Sequence, residues 1–164
     1  MRHHPSGDAL VCLLADGQGG RSNAELAART ACETGWELAS QLPLESLFQP
    51  HAWYALMASV DNSVEATGGF TTFAGLIVSS NTAAGGSCGD SKIFFHLPGS
   101  DRNTNEWTHR QNRNPPVGSG SAAFEIFVHQ NISGGRILMV SDGVWKYCGY
   151  EAIRAALEMP ATWC

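Results

Sequence analysis

The chain has 164 residues, of which 43% are hydrophobic, 15% charged and 9% aromatic, the composition of a compact globular domain and not of a disordered tail. Ten Lys and Arg stand against fifteen Asp and Glu, a net charge of −5, and the basic residues are scattered, which argues against a nucleic-acid footprint. No apolar run approaches the roughly 18–20 residues that span a bilayer, and the opening Met1-Arg2-His3-His4-Pro5 has no apolar leader stretch. A cytoplasmic protein of one domain, residues 1–164, with no membrane partner is therefore expected; nothing in the composition selects an oligomeric state. The five cysteines (Cys12, Cys32, Cys88, Cys148, Cys164) are odd in number and never spaced C-x-x-C, so they read as buried or incidental thiols.

In chain order, Ala9 to Ala15 is an unbroken apolar run of strand length, stopped abruptly by Asp16-Gly17-Gln18-Gly19-Gly20. From Asn23 to about Gln41 the apolar residues recur near helical spacing, with Ser22 or Asn23 as cap and Gly35 weakening the middle. A second helix is expected from Leu44 to about Val60. Between Gly68 and Phe95 the β-rich stretch Phe70 to Val78, a turn at Ser79 to Thr82 and the strand ending Lys92 to Phe95 predict a β-meander. Residues 98–120 are polar, rich in Asn and Pro, and read as a long surface loop with at most a short strand near Glu106 to Thr108. Phe124 to Val128 and Arg136 to Val140 flank Ser133-Gly134-Gly135 and predict a hairpin. A last helix is expected from about Tyr150 to Glu158. Helices in two groups around antiparallel strands indicate an α+β fold.

Twice an apolar strand runs directly into Asp-Gly: Leu13-Leu14-Ala15-Asp16-Gly17 and Met139-Val140-Ser141-Asp142-Gly143. A carboxylate at the end of a core strand is held rigidly at the sheet edge, and the adjacent glycine lets a backbone carbonyl approach a cation. Two such acids at one edge make an oxygen-rich site for a hard divalent ion, Mg²⁺ or Mn²⁺; either alone reads as a turn.

Further motifs extend this pattern. Asp16-Gly17-Gln18-Gly19-Gly20 before an Ala-rich helix, Gly69-Phe70-Thr71-Thr72, Gly89-Asp90-Ser91-Lys92-Ile93, Pro116-Val117-Gly118-Ser119-Gly120 and Ser141-Asp142-Gly143-Val144-Trp145 stand in the order of the motifs of the metal-dependent protein phosphatase 2C family, which the chain resembles over residues 8–158. The resemblance implies an antiparallel β-sandwich flanked by helices, in shortened form, and a hydrolase that acts on phosphoserine and phosphothreonine in protein substrates. It implies two Mg²⁺ or Mn²⁺ ions, with Asp16 bridging both, Gly17 giving a backbone carbonyl to one, and Asp142 serving as a carboxylate ligand of the other. Asp16 and Asp142 are then the catalytic residues, and Asp90 and Ser91 take a mainly structural part, the acid satisfying turn amides.

Departures from the family pattern are also legible. The family's further acid ligand, in an Asp-Asn motif well past Ser-Asp-Gly, has no counterpart up to Cys164, 22 residues beyond Asp142. Asp8 resembles an upstream family aspartate in its surroundings, but eight strand steps of about 3.3 Å put it some 26 Å from Asp16, too far to share a metal pair. His109-Arg110 stands where the family often carries an aspartate after the threonine, which counts against a third ion. A second reading follows from these losses: a phosphatase-like regulatory or binding domain without turnover.

Other candidates carry less. His3 and His4 read as an unstructured terminus, and the remaining histidines (His51, His96, His109, His129) as surface or packing groups without a nucleophile partner. Gly118 to Ala123 fits G-x-G-x-x-A by letter but lacks the strand before and the helix after that a dinucleotide site needs. Arg2, Arg110 and Arg113 are candidate phosphate contacts, though a solvated arginine is the commoner case. The five tryptophans read as packing residues.

Overall fold

The computed structural model describes residues 1–19, 23–99 and 104–159. Gly20, Ser22, Asn103, Pro160, Trp163 and Cys164 lie outside them. The elements in order are β1 (Arg2–His3), β2 (Leu10–Leu14), α1 (Ala24–Gln41), a 3₁₀ turn (Ser46–Phe48), α2 (Pro50–Glu65), β3 (Phe73–Val78), β4 (Thr82–Cys88), β5 (Lys92–His96), β6 (Asn105–Glu106), β7 (Glu125–Gln130), β8 (Arg136–Val140) and α3 (Asp142–Glu158). All pairings are antiparallel. One sheet has the order β1-β2-β3-β4-β7 and the other β6-β5-β8. This is the α+β sandwich with flanking helices that the motif order implied.

Helices α1 and α2 cover the outer face of the first sheet. Trp53, Leu56, Met57, Val60 and Val64 of α2 are buried against Ala27 and Ala31 of α1 and Phe73 and Ile77 of β3. The Trp53 indole satisfies its one donor on the Leu47 carbonyl at 2.7 Å, which seats the 3₁₀ turn under the helix. Gly35 does the reverse of weakening α1. A Cβ there would lie 2.9 Å from the Phe73 ring, so the glycine is what lets helix and sheet close. Between the sheets lies a second cluster, with Leu76, Ala83, Ile93, Phe95, Trp107 and Phe127, in which the Trp107 ring stacks on Phe95 and on His129.

Several expectations are corrected. β2 is half-buried, not enclosed on both faces, because its outer side meets only the two-residue β1 and open surface. The meander is broken at β5, which leaves β4 after a turn at Cys88 to Ser91 and joins the other sheet. The expected hairpin does not form: β7 pairs with β4 and β8 with β5. The link between them arches across the sandwich, with Asn131 and Gly134 at positive φ and Gly135 beneath Phe95, where a Cβ would stand 2.1 Å from the ring. His3 and His4 are ordered. His3 is in β1, and His4 is buried with Nε2 donating to the carbonyls of Ala39 (3.1 Å) and Leu42 (3.2 Å). The last helix starts at Asp142, eight residues before its expected start, and carries a kink at Gly149 (φ 76°). Ser141, extended, precedes its first turn, where an acidic Asp142 meets the positive end of the helix dipole. No helix among the described residues is long and apolar enough to cross a membrane.

Candidate metal and phosphate site

At one end of the sandwich is an open polar pocket of about 590 Å³, lined by Asp16 to Gly19, Thr72, Gly89, Asp90, Arg113, Asn114 and Asp142. Each carboxylate arrives from a different element. Asp16 follows β2, and its backbone is fixed on both sides: its amide donates to Thr72 Oγ1 (3.1 Å) and its carbonyl accepts from the Thr72 amide (2.9 Å). Thr72 Oγ1 in turn shares a hydrogen bond of 2.9 Å with the buried hydroxyl of Ser91. The Gly-Phe-Thr-Thr and Gly-Asp-Ser motifs thus meet as a support beneath Asp16.

Gly17 faces Thr71 as an isolated antiparallel bridge of the wide kind, since the bonds on either side run from Thr72 to Asp16 and from Gln18 to Phe70. Its carbonyl therefore has no hydrogen bond among the described residues. A Cβ on Gly17 would lie 2.3 Å from the Ala24 carbonyl, so only glycine lets the start of α1 sit against this turn. Gly89, at φ 119°, has room for no Cβ beside Thr72 and delivers Asp90 to the pocket.

Asp142 stands in the first turn of α3, just after β8, and lines the same pocket as Asp16. Two carboxylates sharing one pocket repel each other, and a proton or a cation between them relieves that repulsion. Burial, then the charge and contact of Asp142, then the charge of Asp90, push the Asp16 carboxyl above the ordinary range. Asp142 is held below it, chiefly because Lys146 Nζ donates to Asp142 Oδ2 at 2.6 Å. Lys146 Nζ also donates to Asp90 Oδ2 at 3.2 Å, and the Trp145 indole donates to the Asp90 carbonyl at 2.8 Å. Asp90 is thus turned to a lysine and the pocket, in place of the expected turn amides.

The donor set suits a hard cation: two carboxylates converging on one pocket and a carbonyl with no hydrogen bond among the described residues, all oxygen, with room for water. Among the described residues no three His, Cys, Asp or Glu side chains cluster at ligand spacing; the oxygens that could hold a cation here are those of Asp16, Asp142 and the Gly17 carbonyl, with Asp90 beside them on Lys146. Asp8 is exposed at the far end of β2 and does not line the pocket. Of the arginines, Arg113 lines it. Arg2 instead lies over the Trp36 ring at 5.0 Å.

Sequence reading passed over two residues here. Lys146 was hidden by the late expected start of α3; with the helix starting at Asp142, the i,i+4 spacing of the pair is its signal. Asp61, buried on α2, accepts from the amides of Gly118 (2.6 Å) and Ala122 (3.0 Å) and so pins the Pro-Val-Gly loop beside the pocket.

No protein-family model matches the chain, and no curated protein matches it by sequence. Solved structures do match. The serine/threonine phosphatase Stp1 from Staphylococcus aureus superposes with a TM-score of 0.79 at 16% identity, over 98% of this chain and 75% of that one. The Mycobacterium tuberculosis serine/threonine phosphatase PstP/Ppp gives 0.75 at 19% identity, over 94% and 76%. RsbX, solved in complex with magnesium, gives 0.70 at 15% identity, over 94% and 69%. The fold is that of the phosphatase 2C-type serine/threonine phosphatases.

Proposed function

We propose that the protein is a cytoplasmic, divalent-metal-dependent phosphatase acting on phosphoserine and phosphothreonine in proteins. The observation that carries the reading is the convergence of Asp16 and Asp142, at the ends of strands of opposite sheets, on one polar pocket that Arg113 also lines. Asp16 would be shared between two Mg²⁺ or Mn²⁺ ions, the Gly17 carbonyl would serve one and Asp142 the other. When bound, such ions acidify water and neutralise charge on phosphoryl oxygens, and no covalent enzyme intermediate is needed.

The chain's own groups do the rest. Burial and the nearby Asp142 raise the Asp16 carboxyl, so a cation held there would compete with a proton. Thr72 and Ser91 hold the Asp16 backbone so that the carboxylate does not swing away from the second acid. Arg113 and Asn114, which line the pocket, would meet the phosphoryl oxygens of a side-chain phosphate. The open mouth admits a phosphorylated loop of a protein.

The test is phosphate release from phosphoserine and phosphothreonine peptides with Mn²⁺ and with EDTA, for the native chain and Asp16→Asn. Release that needs the metal and Asp16 supports the reading. Mn²⁺ binding without release selects instead the regulatory domain without turnover, a reading the Lys146 contacts keep in view.

A further inference from the structure

Among the described residues, Lys146 is the one whose charge touches two of the three pocket carboxylates, Asp90 and Asp142. Its ammonium lies 2.6 Å from Asp142 Oδ2 and 3.2 Å from Asp90 Oδ2. The two acids come from separate elements, the β4–β5 turn and the start of α3, and a cation between them is what permits their approach. The carboxylates of Asp16, Asp90 and Asp142 outnumber the two cations beside them, Lys146 and Arg113, which leaves the pocket negative and open to a divalent ion. A second ion would meet an Asp142 already paired.

The pair is nevertheless easy to open. Lys146 is 43% exposed and Asp142 35%, the bond is an i,i+4 contact on a helix surface, and pairs of this kind contribute little net stability. A lysine stem is flexible enough to carry its ammonium out to solvent, and the Trp145 ring beside it is already faced by Lys92 at 4.7 Å, so the ring does not hold Lys146 strongly in place. The indole of Trp145 holds Asp90 through its carbonyl whether or not Lys146 is present, so the turn keeps its place when the ammonium leaves.

Resting on the metal-site reading above, we propose that Lys146 is a built-in cation on the Asp90–Asp142 half of the site, which the second divalent ion must displace. The first ion then binds at Asp16 and the Gly17 carbonyl without disturbing Lys146. The second binds weakly, and metal loading is sequential. Lys146 is a positioning residue in this scheme and sets the metal concentration at which the site becomes binuclear.

Calorimetric Mn²⁺ titration of the native chain, Lys146→Ala and Lys146→Arg tests this, beside electron paramagnetic resonance for the spin-coupled Mn²⁺ pair. The native chain should give one tighter and one weaker ion. In Lys146→Ala the second ion should bind on the order of tenfold tighter, and the coupled signal should grow in at lower Mn²⁺, while the first ion is unchanged. Lys146→Arg, which keeps the charge, should retain the weak second ion. Equal second-ion affinity in Lys146→Ala and the native chain overturns the proposal and leaves the metal site standing. No Mn²⁺ bound by any of the three overturns the metal-site reading and this proposal with it.

Discussion

On the helix-backed sheet, Trp53, Leu56, Met57 and Phe73 are exposed by 2% or less, while on the other side of the sandwich four of the five β8 residues are only half-buried. There α3 rests on a small cluster, Phe94, Val140, Ile153 and Leu157, and turns Tyr147 and Tyr150 outward. The site takes one carboxylate from each side. Asp16 stands on the densely packed side, with its backbone bonded to Thr72 in both directions. Asp142 stands on the loosely packed one, tied in by Trp145 and Lys146. If Asp16 is the shared ligand proposed above, it would stand on the rigid half and Asp142 on the adjustable one, an arrangement suited to a site that gains its cations one at a time.

The largest effect should come from breaking the dense side. Trp53→Ala removes a fully buried ring and orphans the Leu47 carbonyl, at a cost of about 3–5 kcal/mol, enough to unfold much of the population in a denaturant titration. Leu157→Ala, in the looser cluster, should cost nearer 2 kcal/mol, because the open site can collapse around the gap. Equal costs would erase the contrast between the two sides.

Within the site the same asymmetry should appear in turnover. Loss of groups that merely support a metal ligand lowers metal affinity some 10–100-fold, so Asp16→Asn, which removes a shared ligand, should slow p-nitrophenyl phosphate hydrolysis by more than about 100-fold under saturating Mn²⁺. Asp142→Asn should slow it less, since water refills part of one ion's shell. A greater loss in Asp142→Asn would reverse the assignment of the bridging role.

Smaller effects sharpen the picture further. Trp145→Phe deletes the indole bond to the Asp90 carbonyl and should cost about 1 kcal/mol in chemical denaturation. No change would show that α3 is not tied to the β4–β5 turn through that bond. In EDTA, the pH dependence of melting should carry two opposed slopes. The Asp16 carboxyl is raised, so its contribution is full at low pH and is lost as pH rises through that raised value. The Asp142 carboxyl is lowered, so its contribution is present at neutral pH and is lost as pH falls through the lowered value. Asp16→Asn should therefore melt slightly higher than the native chain at neutral pH without metal; a lower melting temperature would contradict the repulsion between the two acids.

Much of this was legible in the residues. The two Asp-Gly strand exits and the order of the five motifs led to the sandwich, and Thr72 and Ser91 prove to link two of those motifs beneath Asp16. What escaped did so for physical reasons. Gly143 and Gly149 give the start of α3 a turn-like texture, and its exposed Val144, Tyr147 and Tyr150 break the helical apolar period, so Asp142 and Lys146 did not read as one helical face. Alternation identified β7 and β8 as strands, but a local pattern does not say which sheet a strand joins, and the arch at Gly135 is decided by its packing under Phe95. His4 looked like terminus because its partners, the Ala39 and Leu42 carbonyls, lie at the far end of α1.

Whether carboxylates from two sheets form one cation site is tested most directly by a thermal melt across a Mn²⁺ series. The native chain should rise steadily in melting temperature through millimolar Mn²⁺, because the folded state alone holds the ligands together, and Asp16→Asn should lose that rise even though it starts slightly higher. A native chain indifferent to Mn²⁺, or an Asp16→Asn variant stabilised as much as the native one, would contradict the site.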